Sequence, residues 1–202
     1  MKPEISDKHE LILEAAIRRF SHFGIQKTNM TEIADDVAMS KQSLSYYFPD
    51  KLFLVVAVVK QIVDSYLNDL EQKCKEANSV EEALLMYSEI KKTFFERYYM
   101  LYVQNYDADL KLGKSEIANV RQTVREREME IISNLIQKGI ERGEIKSVDV
   151  TKTSGLVLDT IAAFECSVKV EKAIPEHADF LEMITKQKEV LHLLITGLKT
   201  AA

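Results

Sequence analysis

Residues 28–51 read TNMTEIADDVAMSKQSLSYYFPDK. Two short helices fit this stretch, with only Ala38 and Met39 between them. Asn29 and Glu32 have the spacing of a capping box, in which each side chain takes up a backbone N–H that the helix start leaves free. Ile33, Ala34 and Val37 form the inner face of the first helix. Ser40 caps the second, because a serine oxygen accepts one of the free N–H groups. Leu44 and Phe48, four apart, point inward together. Pro49 stops the helix, having no N–H to continue the ladder. Two short helices joined this tightly are a helix-turn-helix candidate.

The outward residues of the second helix suit such a motif, whose recognition helix enters the major groove with its N-terminal residues first. Lys41 can read guanine acceptors, Gln42 can read adenine, and Ser43 is permissive. Tyr46 and Tyr47 offer hydroxyls, and Lys51 a charge, to phosphate oxygens. The start of the next helix adds N–H groups. From spacing alone, the same residues also fit an amphipathic helix end with surface tyrosines. Charge does not decide between the two. Through Lys51 there are seven Lys and Arg against eight Asp and Glu, a net of −1.

The same helical periodicity continues along the chain on both sides. Upstream, Ile12, Ala15, Ala16 and Phe20 mark a helix over about 6–23, capped by Ser6 or Asp7 and ended by Gly24. Ile25 then packs back on Phe20. Downstream, Asp50 caps a long helix over about 51–74, with an apolar stripe of Leu52, Val55, Val56, Val59, Ile62, Val63, Tyr66 and Leu70. Further helices are predicted over about 80–97, 98–111, 115–142 and 149–171. Gly113 separates the second and third of these, and Gly143 stands at a C-cap. A last helix spans about 176–199. Its face of Phe180, Ile184, Leu191, Ile195 and Leu198 is interrupted by Gln187 and Lys188. With 6 Gly and 3 Pro in 202 residues, and no alternating runs bounded by hairpin turns, the chain is predicted to be all-α.

Composition narrows the function classes. At 46% hydrophobic and 29% charged, the chain has the make-up of a soluble protein. A net charge of −5 leaves no global basic field, so any nucleic-acid contact is local. No run approaches the length of a membrane span and no apolar signal core opens the chain, so a cytoplasmic protein with no membrane partner is expected. Neither a phosphate-binding glycine loop, nor His-Glu-x-x-His, nor a Gly-x-Ser-x-Gly elbow is present. His9, His22, His177 and His192 do not cluster, and Cys74 and Cys166 are isolated. No catalytic residue, metal site or cofactor is expected.

From about residue 11 to 54 the chain resembles the DNA-binding region of TetR family transcriptional regulators. The resemblance rests on Ile12-Leu13-Glu14-Ala15-Ala16, Phe20, Phe23-Gly24, Thr28-Asn29-Met30-Thr31-Glu32-Ile33-Ala34, Ser40-Lys41, Leu44, Tyr47-Phe48 and Lys51. It covers about a fifth of the chain. It implies that Thr28 opens the motif and contacts a phosphate, that Lys41, Gln42 and Ser43 face bases, and that Tyr47 and Lys51 anchor phosphates. Tyr46 is placed to do either. Two positions depart from the family pattern. Ala38 stands where the turn usually has glycine, and alanine costs about 1–2 kcal/mol there if the residue is left-handed. Ser45 stands where tyrosine is frequent.

The architecture so implied is a three-helix DNA-binding domain over 1–50, joined by a long helix to a helical regulatory and dimerisation domain over 51–202. A single motif makes few contacts, so a two-fold homodimer reading a palindromic operator in double-stranded DNA is expected. The stretch 150–170, with Ser154, Gly155, Leu156, Leu158, Ile161, Ala162 and Ala163, and the leucine-rich 176–199 are the candidate interface, forming a four-helix contact. The family usually binds a small-molecule effector in its C-terminal domain. Aromatic residues are dense over 87–106 here, and Tyr66, Tyr87, Phe94, Tyr98, Tyr102 and Tyr106 are the candidate lining. A repressor released by such an effector is expected. The alternatives are an activator, a DNA binder controlled by a protein partner, and a helical interaction module that binds no DNA.

Overall fold

The computed structural model describes residues 5–104, 114–171 and 176–200. The α1 helix (Ile5–Phe23) forms over the first apolar repeat and begins at Ile5, slightly ahead of the predicted cap. Asp7 therefore lies in its first turn, where a negative charge suits the helix dipole. Ile12, Ala15, Ala16 and Phe20 are all fully buried. The helix ends at Gly24, whose φ of 84° is open to glycine at no steric cost. Ile25 follows it into the core.

The α2 helix (Met30–Asp36) is closed at both ends by its own sequence. Asn29 Oδ1 accepts from the N–H groups of Thr31 and Glu32 at 3.0 Å each, and Glu32 Oε2 accepts from the Asn29 N–H at 2.9 Å. At its C-terminus the Met39 N–H donates to the Ala34 carbonyl at 2.9 Å and the Ala38 N–H to the Asp35 carbonyl at 3.1 Å. This is a Schellman turn, and it needs a left-handed residue at Ala38. Ala38 has φ 52°, so the alanine at this departure from the family pattern is strained as expected.

The α3 helix (Lys41–Tyr47) starts from the Ser40 cap, with the Ser43 N–H donating to Ser40 Oγ at 3.0 Å. The α4 helix (Lys51–Glu76) starts from Asp50, whose Oδ1 accepts from the Phe53 N–H at 3.0 Å. Its buried stripe differs from the predicted one. Leu54 and Val58 are fully buried, whereas Val56 and Val59 are half-buried. So many β-branched and leucine residues crowd this helix that periodicity alone does not fix which side is innermost.

The chain divides into two units. One holds Met1–Asp64 and Arg97–Arg121, the other Ser65–Glu96 and Gln122–Ala202. In the first, α1, α2, α3 and the start of α4 surround a core of Ile12, Phe20, Ile33, Leu44, Phe48 and Leu54, to which α6 (Tyr99–Gln104) adds Leu101. In the second, α5 (Val80–Arg97) and α7 (Lys114–Glu141) bury Tyr87, Leu84, Ile132 and Ile136. There α8 (Val150–Glu171) packs on α9 (His177–Leu198). Gly139 is required by close packing, since a Cβ there would lie 2.4 Å from Val80 Cγ2. The predicted break at Gly113 lies outside the described residues. Gln187, expected to interrupt the α9 face, sits on its fully buried side and donates through Nε2 to the Ile161 carbonyl at 3.4 Å. No described helix is long and apolar enough to cross a membrane.

Candidate nucleic-acid interface

α3 buries one side chain within its length, Leu44, and the following Phe48 is buried as well. Lys41, Gln42 and Ser43 are exposed in the first turn and Tyr46 beyond it, while Ser45 and Tyr47 are half-buried. Gln42 and Tyr46 are four apart and share a helical stripe. Tyr46 is 77% exposed, so its hydroxyl and ring are both available to a partner. Tyr47 is half-buried against the core, with its ring edge-on to Tyr46 at 5.4 Å. The core thus fixes Tyr47 and leaves Tyr46 free to reach.

The expected contact residues are not equivalent. The Ser43 hydroxyl lies 2.9 Å from the Ser40 hydroxyl, so it is already engaged at the cap. Thr28 is only 2% exposed, and its hydroxyl donates to the Gly24 carbonyl at 2.9 Å. In this conformation it braces the turn between α1 and α2 and offers no free donor. Lys51 is half-buried at the start of α4. Burial draws its ammonium below the usual lysine range, partly offset by the Glu32 charge. Lys41, Gln42 and Tyr46 remain as the outward set.

A second polar cluster lies inside the C-terminal unit. Tyr66 and Tyr87 both donate to Glu128 Oε1, at 2.5 and 2.6 Å. Lys91 Nζ is 2.6 Å from Glu165 Oε1, 3.6 Å from Glu128 Oε1 and 5.2 Å from the centre of the Tyr87 ring. Glu128 is 5% exposed. Burial, with the Glu128 charge adding to it, holds both phenols well above their usual range. Burial opposes the Lys91 charge, but Glu165 and then Glu128 outweigh it and raise the ammonium well above the lysine range. Phe94 lies edge-on to Tyr66 at 5.5 Å. Three of the predicted pocket aromatics, Tyr66, Tyr87 and Phe94, therefore come together. Tyr98 packs on the N-terminal core instead. Tyr106 and the side chain of Tyr102 lie outside the described residues. Glu128, Lys91 and Glu165 were not singled out in the sequence.

Among the described residues no three His, Cys, Asp or Glu side chains converge as metal ligands do. Cys74 is half-buried, and burial pushes its thiol up to about 11, which makes it a poor nucleophile.

The geometry of two short capped helices and an outward first turn coincides with a family match. Residues 12–58 fit the model for bacterial regulatory proteins of the tetR family. The matched segment, residues 12–58, is a TetR-type DNA-binding region. It is 43% identical over 67 residues to the HTH-type transcriptional regulator RutR of Escherichia coli K12, a match covering 33% of this chain and 32% of RutR. This chain thus spans about a third of the length of that relative. It is 27% identical over 160 residues to the HTH-type transcriptional regulator YhgD of Bacillus subtilis, covering 75% of this chain and 79% of YhgD. A crystal structure of a transcriptional regulator from Cytophaga hutchinsonii superposes with a TM-score of 0.87 at 27% identity, over 96% of this chain and 99% of that one. The all-helical fold of that regulator is therefore shared well beyond residues 12–58.

Proposed function

We propose that the protein is a homodimeric repressor that binds a palindromic operator through α3 and releases it when a small molecule occupies the C-terminal unit. The observation that carries the DNA reading is the outward set Lys41, Gln42 and Tyr46 on a helix held by Leu44 and Phe48. Tyr47 and Lys51 flank that set as phosphate contacts. The names of RutR and YhgD, both HTH-type transcriptional regulators, agree with it.

Dimerisation is supported by apolar side chains left uncovered on the two helices named for it. Leu156 on α8 and Leu193 and Leu194 on α9 are exposed, as are Ala162 and Ala163. Pairing these surfaces across a two-fold axis removes them from water. The effector reading rests on Tyr66, Tyr87 and Phe94 around Glu128. A ligand with an apolar body and one or two polar atoms would enter by displacing these packed rings and taking over hydrogen bonds to Glu128. Such a ligand weakens DNA binding only by its differential affinity for the two states of the dimer.

Selection from a random duplex library at low salt tests the DNA reading. Enrichment of a palindrome is expected, and failure to enrich any sequence overturns it. Gln42→Ala is expected to change which base is preferred at one position of each half-site, by about 1–3 kcal/mol of discrimination. Tyr47→Phe is expected to weaken binding to all duplexes alike. Unchanged affinity in Tyr47→Phe removes its phosphate role.

A further inference from the structure

α2 is held to its unit by the buried Ile33 and Ala34, with Met30 and the C-cap Val37 half-buried against the same core. On a seven-residue helix these few apolar contacts leave a directional polar anchor room to add to how it is rotated about its axis. The end of α2 is also electrostatically poor. Asp35 and Asp36 fall in the last turn, where the helix dipole disfavours negative charge, and no basic residue of α2 lies there.

Arg19, on α1, supplies what α2 lacks. Its Nε is 2.5 Å from Asp36 Oδ2 and its Nη2 is 2.8 Å from Asp36 Oδ1, a two-point fork. Its Nη1 is 3.6 Å from Glu32 Oε2, the same oxygen that accepts from the Asn29 N–H in the capping box. One guanidinium thus reaches the N-terminal cap of α2 and its last residue together. The fork holds the Asp36 carboxyl below its usual range and the guanidinium above its own. Behind it, the Phe23 ring lies 6.0 Å from the guanidinium carbon. A planar fork fixes direction as well as distance, which a point charge does not. Asp36 leads directly into the Schellman turn at Ala38 and from there into α3.

We propose that Arg19 is a positioning residue for DNA recognition. Through Asp36 and Glu32 it sets the rotation of α2 against α1, and so the direction in which α3 presents Lys41, Gln42 and Tyr46. It acts without touching DNA. This inference rests on the DNA-binding reading above.

The test uses the full chain and the duplex that the wild-type protein enriches most. Arg19→Met and Asp36→Asn are each expected to weaken binding to that duplex roughly tenfold, and the double variant to be no weaker than either alone, because both remove one coupling. Binding to random-sequence duplex is expected to change by less than about twofold, since the phosphate contacts survive. The slope of log K against log salt stays unchanged for the same reason. Arg19→Lys, which keeps the charge without the fork, recovers part of the loss. A merely stabilising ion pair would instead lower the unfolding midpoint and leave the affinity of the folded protein as it was. That result overturns the proposal. So does a salt slope shallower by about one in Arg19→Met with Asp36→Asn harmless, because Arg19 is then a phosphate ligand. If Arg19→Met does not fold, Asp36→Asn and Arg19→Lys carry the same comparison. If the wild-type protein enriches no duplex, the DNA reading fails and the inference falls with it.

Discussion

The two units place their polar chemistry on opposite sides of their cores. In the N-terminal unit the polar residues of interest, Lys41, Gln42 and Tyr46, point outward from a helix anchored by one buried leucine. In the C-terminal unit Tyr66, Tyr87 and Glu128 are buried and bonded to one another. The outward set contributes little to stability and is free to serve a partner. The inward set is bound up with stability, because each buried polar group depends on the others for its hydrogen bonds. A surface that reads another molecule can vary at small cost to the fold, while a buried cluster can change only as a group.

Substitutions can break this contrast or sharpen it. Glu128→Ala leaves two buried phenols without their common acceptor and removes the second of Lys91's two carboxylate neighbours, Glu165 remaining. Urea unfolding is expected to show a loss of about 3–5 kcal/mol. Glu128→Gln keeps an acceptor oxygen and should lose clearly less. Equal losses would mean that charge, not hydrogen bonding, holds the cluster. Leu44→Ala removes the only side chain that α3 buries within its length. The expected loss is about 2–3 kcal/mol, near the low end for such truncations because short helices can close up around the gap. A loss below about 1 kcal/mol would show α3 held by something other than Leu44.

Ala38→Gly relieves the left-handed strain at the turn and is expected to raise stability by about 0.5–1 kcal/mol, after the added entropy of the unfolded glycine. A thermal melt checks the sign, and a drop would show that the turn has adapted to alanine. The smallest effect on stability is expected for Tyr46→Ala, within about 0.5 kcal/mol of the wild type. The same variant should nevertheless lose affinity for the enriched duplex. Were it to destabilise the fold by more than about 2 kcal/mol, Tyr46 would belong to the core and the outward set would shrink.

The N-terminal unit was largely legible in the sequence because its determinants are local. The Asn29–Glu32 box, the Ser40 and Asp50 caps and the turn at Ala38 each involve residues no more than a few positions apart. What the sequence did not carry there was Arg19, whose partner Asp36 lies 17 residues on. The hydroxyl engagement of Thr28 and Ser43 also depends on backbone geometry that residue type alone does not convey. Glu128 was harder still. It stands in Arg125-Glu126-Arg127-Glu128, a run with the look of a solvated face, and its tyrosine partners lie 62 and 41 residues away. The aromatic run over 87–106 misled in a different way. The helix breaks at Tyr98, so Phe94 serves the C-terminal unit and Tyr98 the N-terminal core. One dense patch in sequence became two separate packings.

The strained Ala38 has a kinetic consequence. It sits between helices whose own buried side chains are Ile33, Ala34 and Leu44. Local opening is cheapest where strain is released and little apolar contact is broken. The amides of Ala38 and Met39 are therefore expected to exchange their hydrogens with deuterium well before those in the middle of α1. The recognition element would then loosen as one piece while its scaffold stays intact, leaving α3 able to adjust its seat on a groove after first contact.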